Sequence, residues 1–458
     1  MKKSVKRVLW ILLVALLVFV VWYAWPRAPI ITAYAAKGMC SSVFLADKDP
    51  GRVYEEDLSF FPISLARCRI DYDEKTVTSR VLGLAKRKAV YREGLGAVLV
   101  LDQPEEELKA ASFNIPDPGY SQDTLPWPKG DLLPAEKPEG VDYVKLDSVI
   151  QNAFDPDGTD PMKKTLGVAV VYDNQLIAEK YKAGYDLHTM FHGWSMTKSI
   201  AGTLIGILVD EGKMKVDEPT GIPAWSNDVR KNITVEHILH MSSGLEWVEN
   251  YFTISEATLM LMRSSDMFSF VVNCEAAHDP GTFWNYSSGD INLLSGLIRN
   301  TLNDDEAYHQ YPYTRLLHRI GMLNTVIETD ASGLFVASSY CYGTTRDWAR
   351  FGLLLLNKGV FEGDTVVSPE WVEYMQTPAP ASEGTYAATF WLKEPDPLNI
   401  LKDIREEIYF ADGFLGQRVY IIPSRKLVVV RMGYSLTNFS LNDFLRDIIS
   451  TLPEQTGS

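Results

Sequence analysis

Phe191-His192-Gly193-Trp194-Ser195-Met196-Thr197-Lys198 is the stretch on which the reading of this chain turns. Ser195 stands three residues before Lys198, and on a helix that spacing puts both side chains on one face. A serine hydroxyl is a poor nucleophile near neutral pH and needs an adjacent base to take its proton. A lysine can be that base where burial and nearby donors disfavour its ammonium form. The residues that follow, Ser199-Ile200-Ala201-Gly202-Thr203-Leu204-Ile205, are apolar on most of a helical circumference. The pair therefore opens a helix that must be buried, and the positive field of its N-terminus favours a developing oxyanion. His192 invites a Ser-His reading. However, Gly193-Trp194-Ser195-Met196-Thr197 lacks the second glycine of a nucleophile elbow and no buried strand precedes it, so His192 is read as a packing residue.

Outward from this helix, periodicity sets the architecture. Tyr143 to Phe154 reads as a helix, and Leu166 to Tyr172 with Gln175 to Tyr181 as a hairpin about Asp173-Asn174. Helical patterns follow at 195–211, 234–241, 290–301 and 345–357, with Thr344 and Ser368 as N-caps. Gln417 to Ile422 and Lys426 to Met432 form a second hairpin around Pro423-Ser424-Arg425, and Leu441 to Ile449 a terminal helix. The predicted fold is α+β: an antiparallel sheet formed from both chain ends, flanking helices, an all-helical insert, and a small N-terminal β-rich unit.

A second chemical element lies in Asp279-Pro280-Gly281-Thr282-Phe283-Trp284-Asn285-Tyr286-Ser287-Ser288-Gly289-Asp290. With Ser195 and Lys198, it resembles the superfamily of serine β-lactamases, penicillin-binding proteins and their esterase and amidase relatives, including 6-aminohexanoate-oligomer hydrolases. That superfamily pairs Ser-x-x-Lys with a Tyr-bearing loop ahead of a helix. Val216-Asp217-Glu218-Pro219, the run Ile238 to Leu245 and the run Tyr342 to Gly352 fit the same pattern, so the likeness spans roughly Lys145 to Ile449. The resemblance implies that Tyr286 shares protons with Lys198 and passes one to the leaving group, with Ser288 a candidate auxiliary. It also places Tyr409-Phe410-Ala411 where the superfamily carries Lys-Thr-Gly or His-x-Gly. The backbone amides of Ser195 and Ala411 would then form the oxyanion hole. The missing cation argues against β-lactams and peptidoglycan termini and for an ester or small linear amide. A penicillin-binding carboxypeptidase or β-lactamase, and a silent binding protein on the same fold, are the rival readings. Trp247, Trp284 and Trp391 line an acyl pocket or pack the core.

The 458 residues carry a formal charge of -15 with no lysine or arginine run, which disfavours nucleic acid as a partner. Lys2, Lys3, Lys6 and Arg7 precede an apolar run from Val8 to Trp25, long enough to cross about 30 Å of hydrocarbon. Residues 1–36 read as an uncleaved anchor in a bacterial inner membrane with the catalytic part in the periplasm. Ala33-Tyr34-Ala35-Ala36 keeps a cleaved signal peptide open. Residues 37–103 read as the β-rich unit, with strands at 41–45, 76–81 and 97–101; 104–138 as a Pro-rich linker without regular structure; and 139–458 as the hydrolase domain. Of Cys40, Cys68, Cys274 and Cys341, the first two are the favoured disulfide pair, against free thiols. No ligand spacing for a metal and no cofactor motif is found, so neither is expected.

Overall fold

The computed structural model describes residues 2–154, 163–394, 401–435 and 439–454. It divides into two compact units. One comprises Met1–Ser112 with Val248–Met267 and Asp330–Ser332, and the other comprises the remainder.

In the first unit, helix α1 (Lys2–Phe19) passes through a π-helical segment, Val20–Ala24, into α2 (Trp25–Phe44). The side chains of Val8 to Phe19 are bare, while α2 from Ile30 onward is packed against a four-stranded antiparallel sheet. That sheet runs β1 (Ala66–Asp71), β2 (Thr76–Val81), β3 (Leu84–Arg92), β4 (Gly96–Leu99) in sequential order. Ala33, Ala35, Ala36 and Met39 are the small and flexible side chains that let helix and sheet approach. The expected strand at 41–45 is the end of α2 instead, because burial against the sheet overrides the strand propensity of so short a run. The proline-rich stretch likewise contains a short α-helix, Glu105–Ala110, which starts directly after Pro104, and a 3-10 turn, Gln122–Thr124. No disulfide forms. All four cysteines are thiols, and the Cys68 Sγ is directed at the Ala35 carbonyl, 3.5 Å away.

In the second unit, α3 (Tyr143–Ala153) leads to the hairpin β5 (Thr165–Tyr172) and β6 (Gln175–Tyr181). Asp173 and Asn174 both take positive φ at its two-residue turn, the geometry that matches strand twist. Helices α4 (Thr197–Asp210), α5 (Ser288–Leu302) and α6 (Thr345–Leu356) follow. The chain closes with β7 (Tyr409–Gly413), β8 (Gln417–Ile422), β9 (Leu427–Gly433) and α7 (Leu441–Ile449). The five-stranded sheet has the order β7-β8-β9-β5-β6, so the two chain ends do share one antiparallel sheet. α6 packs on one face, where Gly352 lies against Val419 and Val428. α3 and α7 pack on each other at the other end of the layer arrangement, α3 reaching β6. Every residue from Thr197 to Leu208 of α4 is buried, as its apolar circumference requires. β7 is an edge strand, and that edge positions the site.

Candidate active site

Ser195 sits in a 3-10 turn, Trp194–Met196, that feeds directly into α4. The turn is held tightly. The Gly193 N–H donates to the Cys341 carbonyl at 2.8 Å, and a Cβ on Gly193 would fall 2.3 Å from the Trp348 ring. Trp194 has φ +50°, a left-handed conformation that a bulky residue adopts only when its surroundings impose it. Its ring is stacked on His192, which is stacked in turn on Tyr342 and whose Nε2 lies 2.7 Å from the Ser339 carbonyl. His192 is thus a packing residue of the turn.

Lys198, one helical turn on, is 1% exposed. Its Nζ lies 3.0 Å from Ser195 Oγ, 3.0 Å from Ser288 Oγ and 2.8 Å from the Ser338 carbonyl oxygen. The Tyr286 ring centroid is 4.9 Å from the same nitrogen. Ser195, Lys198, Tyr286 and Ser288, dispersed over 94 positions of sequence numbering, are therefore brought around one amine. Two features of the chain explain how. Ser287 caps α5 by accepting from the Asp290 N–H at 3.0 Å, which sets Ser288 on the first turn of that helix. The preceding loop is tied down by the Asn285 N–H to the Met241 carbonyl, 2.8 Å, and by Asn285 Nδ2 to the Trp247 carbonyl, 2.8 Å.

The Ser338 carbonyl was not foreseen. It is aimed by a hydrogen bond from the Ser338 N–H to Asn292 Oδ1 on α5, 3.2 Å. The buried Asn292 within an apolar helix pattern is the one sequence signal that could have pointed to it.

Beside Tyr286 stands an aromatic wall. Tyr286 lies 5.1 Å from Trp391 and 5.9 Å from Tyr386 between ring centroids, and Trp284 lies 5.8 Å from Trp391. Of the three tryptophans singled out, Trp284 and Trp391 join this wall, whereas Trp247 packs over Gly289 at the start of α5.

Backbone parity on β7 distinguishes Ala411 from Asp412. Phe410 on β7 exchanges both backbone hydrogen bonds with Trp391, 3.0 Å in each direction, on the side away from β8. In an antiparallel ladder successive residues turn their N–H and C=O groups to opposite sides. Ala411, paired with Val419, consequently gives its N–H to β8, and the amide that faces the open edge is that of Asp412. The strand and the Trp194–Met196 turn do meet there, since a Cβ on Gly413 would lie 2.4 Å from the Gly193 carbonyl oxygen. Asp412 also forms an ion pair with Arg418, which is bound to Glu394 at 3.1 Å as well. Tyr409, at the start of the same strand, is a buried phenol whose pKa is raised by desolvation. Among the described residues no group of three or more His, Cys, Asp or Glu side chains is placed to hold a metal ion.

The beta-lactamase family profile matches residues 150–442 of the chain. A 6-aminohexanoate-dimer hydrolase of Paenarthrobacter ureafaciens is 25% identical over 342 residues, covering 66% of this chain and 83% of that protein. Among solved structures, a family VIII carboxylesterase superposes with a TM-score of 0.52 at 16% identity, over 68% of this chain and 96% of the other. A penicillin-binding protein from Bacillus halodurans gives 0.51 at 16%, over 67% and 99%. At these identities the structural likeness concerns the fold.

Proposed function

The chain belongs to the beta-lactamase family, and from that membership we propose that it is a serine hydrolase cleaving an ester or a small linear amide through a seryl acyl-enzyme. The observation that carries the reading is the buried amine of Lys198 at 3.0 Å from Ser195 Oγ, at the start of a helix. Lys198 takes the Ser195 proton as the hydroxyl attacks the carbonyl carbon. The oxygen that becomes negative is met by the N–H groups of Ser195 and Asp412, each such donor lowering the barrier by about 3 kcal/mol. Tyr286, beside the amine that now holds the proton, delivers it to the departing alcohol or amine. Water then enters, loses a proton to the same network, and releases the acid. Ser288, the second hydroxyl on Lys198, holds the amine in line.

The substrate class is supported by what lies along the edge. Tyr409 supplies no positive charge for a substrate carboxylate, and Arg418 is engaged by Asp412 and Glu394. The wall of Tyr286, Tyr386, Trp284 and Trp391 suits an uncharged acyl or leaving group. The hydrolase from Paenarthrobacter, named for a linear amide, and the carboxylesterase fit the same reading. β-Lactams and cell-wall peptides fit it less well.

The first unit is read as a retained inner-membrane anchor with the catalytic unit in the periplasm. One helix, Val5–Phe44, is long and apolar enough to span a bilayer. Cleavage at Ala33-Tyr34-Ala35-Ala36 would require opening a helix whose Ala33, Ala35 and Ala36 are buried against the sheet, and would remove part of that unit's core. A fluorophosphonate probe tests the catalytic reading. It is expected to label the wild-type chain once, at Ser195; labelling that survives in Ser195→Ala refutes it. Labelling by a fluorescent penicillin at comparable speed would move the substrate class to the penicillin-binding carboxypeptidases.

A further inference from the structure

Pairing of β1, β2 and β3 assembles what no run of sequence shows: an open groove of about 810 Å³ on the sheet of the first unit, lined by Arg67, Arg69, Arg80, Lys86 and Lys88 with Asp71. The imbalance is notable in a chain of net charge -15. Arg67 and Arg80 are direct cross-strand partners, so their side chains leave the same face of the sheet, with the Arg67 guanidinium donating to the Ser64 and Ala66 carbonyls. Like charges directly opposite destabilise a sheet unless an anion lies between them. Of the five cations, Lys88 has Glu105 as an ion-pair partner.

The end of the groove is apolar and projecting. The β2–β3 turn carries Leu82 at φ +50° and Gly83 at φ +77°, which holds the leucine at the tip, 90% exposed. Leu65 lines the same end and is 45% exposed. Bare leucines beside arginine and lysine form the pattern of a surface that enters the headgroup layer of a bilayer.

Its height relative to the apolar helix follows from spacing. Cys68 lies level with Ala35, and the Tyr72 ring lies 5.9 Å from that of Phe44. Four strand residues and nine helix residues both measure about 14 Å, so β1 runs alongside α2. Ser79 pairs with Cys68, and Leu82 lies three residues beyond it, about 10 Å toward the helix N-terminus, at the level of about Ala28. There the helix leaves its bare stretch through Trp22, Tyr23 and Trp25, with the Arg27 guanidinium 3.8 Å from the Tyr23 ring centroid. Such aromatic and basic residues mark the bilayer interface.

We infer that the β2–β3 tip and the Arg67/Arg80/Lys86 end of the groove dock onto the phosphate headgroups of anionic phospholipids in the membrane that α1 spans. The inference rests on the reading of α1 as a span. The first unit is then a membrane-reading foot, and its orientation depends on lipid charge.

The test is hydrogen exchange on the full-length chain in lipid nanodiscs, either phosphatidylcholine alone or with about one lipid in three replaced by phosphatidylglycerol. Amides of residues 80–86 are expected to exchange about tenfold more slowly in the anionic discs, and the protection to vanish in about 1 M NaCl. Arg67→Gln/Arg80→Gln/Lys86→Gln should lose it as well, with an unchanged Tm showing that the sheet is intact. Equal exchange in both discs, with residues 5–25 still protected, overturns the docking and leaves the span standing. Extraction of the chain by alkaline carbonate overturns both. Protection that follows the number of chains per disc rather than lipid charge assigns the face to a second copy and also overturns the proposal.

Discussion

Among the described residues two buried lysines each meet a serine along a helix, and they are not equivalent. In α4, Lys198 Nζ lies 3.0 Å from Ser195 Oγ; in α2, Lys37 Nζ lies 2.8 Å from Ser41 Oγ. Judged by distance and by burial of the serine, the second pair is the better one. Its surroundings differ. Ser41 is fully buried within a helix that faces a sheet, four residues after its lysine. Ser195 precedes its lysine, stands at a helix start, and shares the amine with Ser288 and a tyrosine ring. The comparison teaches that a serine-lysine contact is a packing solution by default. It becomes chemistry where the serine is at an N-terminus, a second proton carrier is present, and an edge strand offers an amide.

The largest expected effect separates the two pairs. Ser195→Ala should lower ester hydrolysis by about 10⁴-fold or more and abolish fluorophosphonate labelling, whereas Ser41→Ala should leave both rates unchanged. Comparable losses in the two variants would erase the distinction. Tyr286→Phe keeps the ring in the aromatic wall and removes its hydroxyl, so kcat should fall about 10²- to 10⁴-fold with KM little changed. A variant whose KM alone rises would make Tyr286 a wall residue only.

The edge-strand amide can be tested by proline. Asp412→Pro removes an outward N–H, which an edge strand tolerates, and should lower kcat by about 10²- to 10³-fold relative to Asp412→Ala, which loses the Arg418 ion pair equally. Ala411→Pro removes a ladder bond to β8 and should instead lower Tm. The reverse pattern would restore Ala411 as the oxyanion donor. The smallest effect concerns the short helix Val235–Leu239, which leads into Met241. Burial depresses the pKa of His237 and His240 below the ordinary 6.5, desolvation being the leading cause in both. Neutral histidine is thus favoured by folding, so stability is full above the unfolded value and lost as pH falls through the depressed folded values. Thermal melts should show Tm declining between about pH 7 and about pH 5, and less so in His237→Gln/His240→Gln.

Much of this was legible in the sequence because it depends on local rules. Asp173-Asn174 named the hairpin, Thr344 and Ser368 named their helices, and the apolar run after Lys198 demanded a buried one. What escaped depends on partners far along the chain. The end of α2 looked like a strand until the sheet it covers was in place. The choice between Ala411 and Asp412 is a matter of parity, fixed by Trp391 binding Phe410, and a one-residue slip reverses every amide on the strand. The Ser338 carbonyl is backbone and leaves no side-chain signature. The basic groove is scattered over 22 positions and exists only once three strands pair.

The nucleophile turn rests on two missing side chains. Gly193 faces the Trp348 indole, and Gly413 faces the Gly193 carbonyl. Neither position has room to drift alone: an alanine at either one pushes the turn away from the strand that would serve it. An alanine at position 193 would therefore need a smaller side chain in place of Trp348 before the turn could keep its position.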